Sequence, residues 1–204
     1  MPLRDRDSQA LEILENQLDL IPSPKNFSEL IDFPFENIAS LKKANKENKI
    51  TLGLSNHDFN SILTYGKPSD HLNHYISMGL SLIVLFGIIG YAFYTSENIY
   101  FLGIICWIVG FALSTPNCSF QSMIGIIMLI FIASFFFMEM KYSILLGTIV
   151  LSYFFTKTNR DISINSIINN ALESERLFAF LYKTRNLIVI KDNKSGSFYN
   201  PDNH

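Results

Sequence analysis

The chain has 204 residues, of which 49% are hydrophobic and only 17% charged, against about 25% charged in an ordinary soluble domain. The deficit is local: from Ile76 to Thr156 the only charged residues are Glu97, Glu139 and Lys141. That stretch excludes a single soluble globule, and flanks with net charges of −3 (residues 1–75) and +2 (157–204) are not basic enough to make nucleic acid the main partner.

Residues 1–20, MPLRDRDSQALEILENQLDL, carry acids throughout. Neither a secretory signal peptide nor a transit peptide is expected there, and the first apolar span serves as an uncleaved signal. From Ser8 to Ile21 the spacing predicts an amphipathic helix, with Leu11, Leu14, Leu18 and Ile21 on one face and Glu12, Glu15 and Asp19 on another. Ser8 can cap it, and Pro22 with Pro24 ends it. Interfacial membrane helices are normally basic, so Leu11, Leu14 and Leu18 are expected to dock on a partner protein or on the rest of the chain.

A second amphipathic stretch follows Pro34. Phe35, Ile38 and Leu41 are its apolar residues, while Lys42, Lys43, Lys46 and Lys49 form a cationic side that could meet anionic lipid headgroups at about 1 kcal/mol each, or simply face solvent. Residues 52–73 read as loop with one short helix. Asp70, His71 and His74 then stand at the membrane entrance, with His57 further off. Two histidines three apart can share a helical face, but no Cys or Glu cluster completes a ligand set, so a polar collar is expected and no metal.

Four apolar segments follow, Tyr75 to Tyr94, Ile99 to Ser114, Ser119 to Met138 and Tyr142 to Thr156. A helix needs about 20 residues to cross a hydrocarbon core, which the second and fourth reach only with their neutral flanks. The connections, Thr95 to Asn98, Thr115 to Cys118 around Pro116, and Glu139 to Lys141, are so short that successive helices must pack antiparallel, as two tight hairpins. Gly79, Gly87, Gly90, Gly103 and Gly110 are expected at helix-packing faces, since small residues let helices approach closely in lipid. Gln121, Ser122, Ser134, Thr148 and Ser152 are the most polar residues at depth and are read as backbone or interhelical hydrogen-bonding groups. No ionisable residue lies in the middle of a span, as a pump or proton-coupled carrier would need. Cys106 and Cys118 are too few for a disulfide framework. The flanks hold 15 of the 16 Lys and Arg residues, so the positive-inside bias puts both termini on the cytoplasmic or matrix side.

After the last span, residues 162–185 are expected to be helical, and LIVIKDNKSGSFYNP reads as two short strands around a turn at Asp192 to Gly196. An isolated hairpin is marginal in water, which leaves Leu187, Ile188, Val189 and Ile190 as an open apolar edge for a partner. No glycine-rich phosphate loop, HExxH, GxSxG or CxxC occurs, so neither enzyme activity, a cofactor nor a small-molecule substrate is expected.

The expected fold is an all-α polytopic membrane protein with four transmembrane helices in two hairpins, amphipathic helical tails and a small C-terminal β-hairpin. Its parts are an N-terminal region (1–74), a transmembrane block (75–156) and a C-terminal tail (157–204). The expected function is a non-catalytic integral subunit or assembly factor of a larger membrane complex, such as a secretion apparatus or respiratory assembly, with the bilayer and other subunits as partners. The bacterial inner membrane, endoplasmic reticulum or Golgi, and mitochondrial inner membrane all fit. In architecture alone the layout is similar to prenylated-Rab-acceptor and other membrane-trafficking proteins, which implies a membrane-shaping or trafficking adaptor as the alternative. An oligomeric channel is the third reading.

Overall fold

The computed structural model describes residues 3–30, 33–55, 61–114 and 123–199. In chain order the elements are α1 (Leu3–Leu18), a 3-10 turn (Phe27–Glu29), α2 (Ile38–Lys46), β1 (Ile50–Leu54), α3 (Ser61–Tyr65), α4 (Pro68–Thr95) and a 3-10 turn (Asn98–Phe101). They continue with α5 (Leu102–Leu113), α6 (Met123–Phe137), α7 (Met140–Ala171), α8 (Glu175–Ala179), a π-type turn (Phe180–Thr184), β2 (Ile188–Asp192) and β3 (Phe198–Tyr199). The protein is thus mostly helical with one small sheet.

The chain forms two compact units, one made of Met1–Leu72 with Ile162–His204, the other of Asn73–Asp161. The parts expected at 1–74 and 157–204, on either side of a 75–156 block, thus meet in one compact unit whose two segments flank the apolar stretch in sequence.

In the flank unit, α2 begins where Asn37 caps it. Its side chain accepts from the Ser40 amide at 2.9 Å while the Ser40 hydroxyl faces the Asn37 amide, a capping box. The sheet has the order β1-β2-β3, both pairs antiparallel. β1 runs against β2 from Ile50↔Asp192 to Leu54↔Ile188, so a strand from each flank shares one ladder. The turn at Asp192 to Gly196 forms at its expected place, closed by the Gly196 amide on the Asp192 carbonyl at 2.8 Å. Gly196 has φ of +74°, a left-handed conformation that glycine adopts without a Cβ clash.

The open edge expected at Leu187 to Ile190 is therefore filled. Leu187, Ile188 and Ile190 are buried and Val189 half-buried, because β1 supplies the missing strand and the core covers the inner face. The residues expected to dock α1 on a partner are covered in the same way. Leu14 and Leu18 are buried in this core and Leu11 packs against it. Polar contacts hold α1 and the segment after it to the C-terminal flank as well: the Ser174 hydroxyl donates to Glu15, Arg176 pairs with Asp19, and the Glu175 carboxylate accepts from the Phe27 amide at 2.8 Å. An aromatic cluster from both flanks fills the centre, with Phe27 edge-on to Phe33 at 4.7 Å and to Phe178 at 5.4 Å. Such ring pairs contribute about 0.5–1.5 kcal/mol each beyond area burial.

In the apolar unit one described helix, Pro68–Thr95, is long and apolar enough to cross a membrane, while Asn98–Leu113 and Ile124–Phe137 are apolar but shorter. Length and apolarity thus qualify one helix where four were expected. The second segment includes a 3-10 turn rather than a full α-helix, the start of the third lies outside the described residues, and the fourth is the beginning of α7, which runs on without a break to Ala171. No proline falls in Met140–Ala171, so nothing local stops the helix at the end of its apolar half.

Candidate functional site

Small polar side chains tie the helices of the apolar unit together. The Ser77 hydroxyl donates to the Phe155 carbonyl at 2.9 Å, linking α4 to α7. The Trp107 indole donates to the Ser81 carbonyl at 2.9 Å, and the Ser152 hydroxyl to the Trp107 carbonyl at 2.9 Å, which brings α5 against both. The Ser134 and Ser143 hydroxyls bond at 2.9 Å between α6 and α7. The Thr148 hydroxyl turns back to the Ile144 carbonyl at 3.0 Å. These groups are used up in packing rather than aimed at a ligand.

The five glycines separate into two kinds. A Cβ on Gly110 would stand 2.4 Å from the Ile149 carbonyl oxygen and 2.9 Å from Ser152, and one on Gly103 would meet Ile88 at 2.2 Å. Both lie at close helix contacts. Gly79, Gly87 and Gly90 have nothing among the described residues within 4 Å of where a Cβ would be.

Gly87 instead lines an open apolar groove of about 420 Å³ between α4, α6 and α7. Its wall includes Ile83, Ile88, Tyr91, Phe131, Phe135, Gly147 and Leu151. The surface of the unit beyond the groove is also apolar, with Phe86, Phe93, Phe136 and Phe137 at 64%, 71%, 79% and 87% exposure. Chemically, this surface can exclude water and pack against hydrocarbon or another helix.

The other residues singled out by sequence lie apart from one another. Lys42, Lys43, Lys46 and Lys49 are all exposed along and just after α2, with Lys49 paired to Glu47 at 2.7 Å. That lysine holds the Glu47 carboxyl below the usual range, through its hydrogen bond first and its charge second. Asp70 and His71 are in the first turns of α4, where His71 Nε2 is 3.1 Å from the Ile62 carbonyl oxygen, and His74 is buried. Among the described residues no three His, Cys, Asp or Glu side chains are grouped as metal ligands. His57, Pro116, Cys118, Gln121 and Ser122 lie outside the described residues.

Comparison of the chain with family models, with curated proteins and with solved structures yields no match.

Proposed function

We propose that residues 73–161 are embedded in a lipid bilayer and that the protein is a non-catalytic integral subunit or assembly factor of a larger membrane complex. The observation that carries this reading is the unfilled glycine face of α4. Glycine weakens a helix and adds no apolar surface, so in lipid its use is to admit a neighbouring backbone. For Gly103 and Gly110 the chain supplies that neighbour, and for Gly79, Gly87 and Gly90 none is found among the described residues. A helix from another subunit, seated along the groove at Gly87, is the occupant this surface fits.

The shared sheet bears on topology. A ladder between β1 and β2 requires both flanks on one side of the bilayer, hence an even number of crossings. Four crossings use all four apolar segments, and the lysines and arginines of the flanks favour the cytoplasmic or matrix side. A second reading, membrane-shaping hairpins held in one leaflet, draws support from the shortness of Asn98–Leu113, whose residues even as one straight α-helix would rise only about 24 Å, less than a hydrocarbon core of about 30 Å.

The test is purification of the tagged native protein in mild detergent, followed by native mass determination. The subunit reading expects a stoichiometric set of other chains, and expects Gly87→Leu to shed them while the protein itself stays folded, because no described atom lies within 4 Å of a Cβ placed there and the side chain enters an open groove. Wild-type protein that purifies as a lone monomer or homo-oligomer would reject it.

A further inference from the structure

We propose that the flank unit carries an anion-binding hollow, where the end of α2 meets the β2–β3 turn, that takes a phosphate group joined to a flat or apolar moiety. The hollow has a volume of about 560 Å³, and its wall includes Phe35, Lys49, Asp192, Asn193, Lys194 and Tyr199. The two cations spring from backbone segments that are locked to each other. The Asn193 amide donates to the Lys49 carbonyl at 2.9 Å. The Asn193 side chain donates to the Asn48 carbonyl at 2.9 Å and accepts from the Thr51 hydroxyl at 2.8 Å. Lys49 and Lys194, the residue after Asn193, therefore leave the backbone close together and on fixed supports.

The acid in this wall, Asp192, keeps its negative charge beside Lys194 and is braced within the turn, so an incoming phosphate competes with it for that lysine. Asp192 commits one carboxylate oxygen to the Lys194 amide at 2.8 Å and the other to the Ser195 hydroxyl at 2.9 Å. Glu47 holds Lys49 only in an exposed pair, which a phosphate of higher charge can displace. Lys42, Lys43 and Lys46 are also exposed on α2, the helix whose end borders the hollow. On the apolar side, the rings of Phe35 and Tyr199 stand edge to face at 6.5 Å. Charge on one side and aromatic surface on the other is the complement of a phosphorylated amphiphile or a phosphorylated aromatic compound. A lipid headgroup and a soluble phosphate share this chemistry.

The experiment uses the full chain in phosphatidylcholine nanodiscs with sodium pyrophosphate as the soluble probe, and in nanodiscs doped with a phosphatidylinositol phosphate as the lipid probe. Hydrogen exchange is followed in peptides covering residues 42–54 and 188–199. Protection by pyrophosphate in neutral discs assigns a soluble phosphate ligand, and protection only in the doped discs assigns a headgroup. In either case the double substitution Lys49→Ala with Lys194→Ala, at two exposed positions that the core does not use, should weaken the effect about tenfold or more, the size of one lost charge-assisted contact. Lys25→Ala, on an exposed lysine outside the hollow, should leave it unchanged. No protection by either probe, or protection that the double substitution leaves intact, overturns the proposal.

Discussion

Gly110 and Gly79 look alike in sequence, each a glycine in an apolar helix, yet the structure gives them opposite sensitivities. Gly110→Ala forces a methyl group to within 2.4 Å of a backbone oxygen, and backbone cannot swing aside as a flexible side chain can. Its expected cost is about 1–3 kcal/mol, seen as a lowered thermal midpoint in detergent, whereas Gly79→Ala should be neutral or slightly stabilising. Equal midpoints for the two variants would mean that α5 does not approach α7 as described. At Asp192 the carboxyl is held below the usual aspartate range, by the Lys194 amide first and the Ser195 hydroxyl second. A pKa lowered by folding contributes stability above the unfolded value and loses it as pH falls through the folded one. The β2–β3 turn should therefore loosen in acid, below about pH 4, with the Gly196 amide losing protection once intrinsic exchange is corrected for. Asp192→Asn should flatten that acid dependence. A variant with the wild-type profile would show that the turn does not depend on this charge.

Among the elements, the part that sequence can reveal is the part decided within a few residues. α2 and the turn at Asp192 to Gly196 follow from local spacing and turn residues such as Gly196, and the apolar stripe of α1 is legible too, but its bounds are not: the helix runs Leu3–Leu18, so Ser8, expected as its cap, lies inside it. β1 does not follow in this way. Its five residues, ITLGL, carry a glycine in the middle, and their partner strand lies beyond the whole apolar insertion, at Ile188–Asp192. Periodicity reports a face to be buried, not the element that buries it. For the same reason the apolar stripe of α1 and the strand at Leu187 to Ile190 both point to a partner from sequence, and in the fold they meet in one core. The glycines pose the same problem, since Gly87 and Gly110 differ only in what stands opposite them.

The β1–β2 ladder makes a prediction at this scale. Ile190 is fully buried and pairs with Leu52 on one side and Tyr199 on the other. Ile190→Ala should cost about 2–5 kcal/mol and open both flanks together. Limited proteolysis should then cut near β1 as well as near β2, while cleavage confined to the C-terminal flank would count against a shared sheet.

At the scale of the whole molecule, one body assembled from both ends of the chain has a consequence for biogenesis. β1 has no β2 to pair with until the apolar insertion has been synthesised, so the flank unit completes its sheet only after residues 73–161 have emerged. The N-terminal core residues, Leu14, Leu18, Phe27 and Leu41, are left uncovered in the interval. Joining the flanks also bars any topology that separates them. The most direct measurement is the sidedness of single cysteines, introduced in a background without Cys106 and Cys118 and labelled in sealed vesicles with a membrane-impermeant reagent. The account predicts that Lys43→Cys and Lys183→Cys are labelled from one side, and Glu97→Cys and Glu139→Cys from the other. Labelling of Lys43→Cys and Lys183→Cys from opposite sides would contradict the shared sheet. Labelling of all four from a single side would contradict the bilayer-crossing arrangement of the apolar unit.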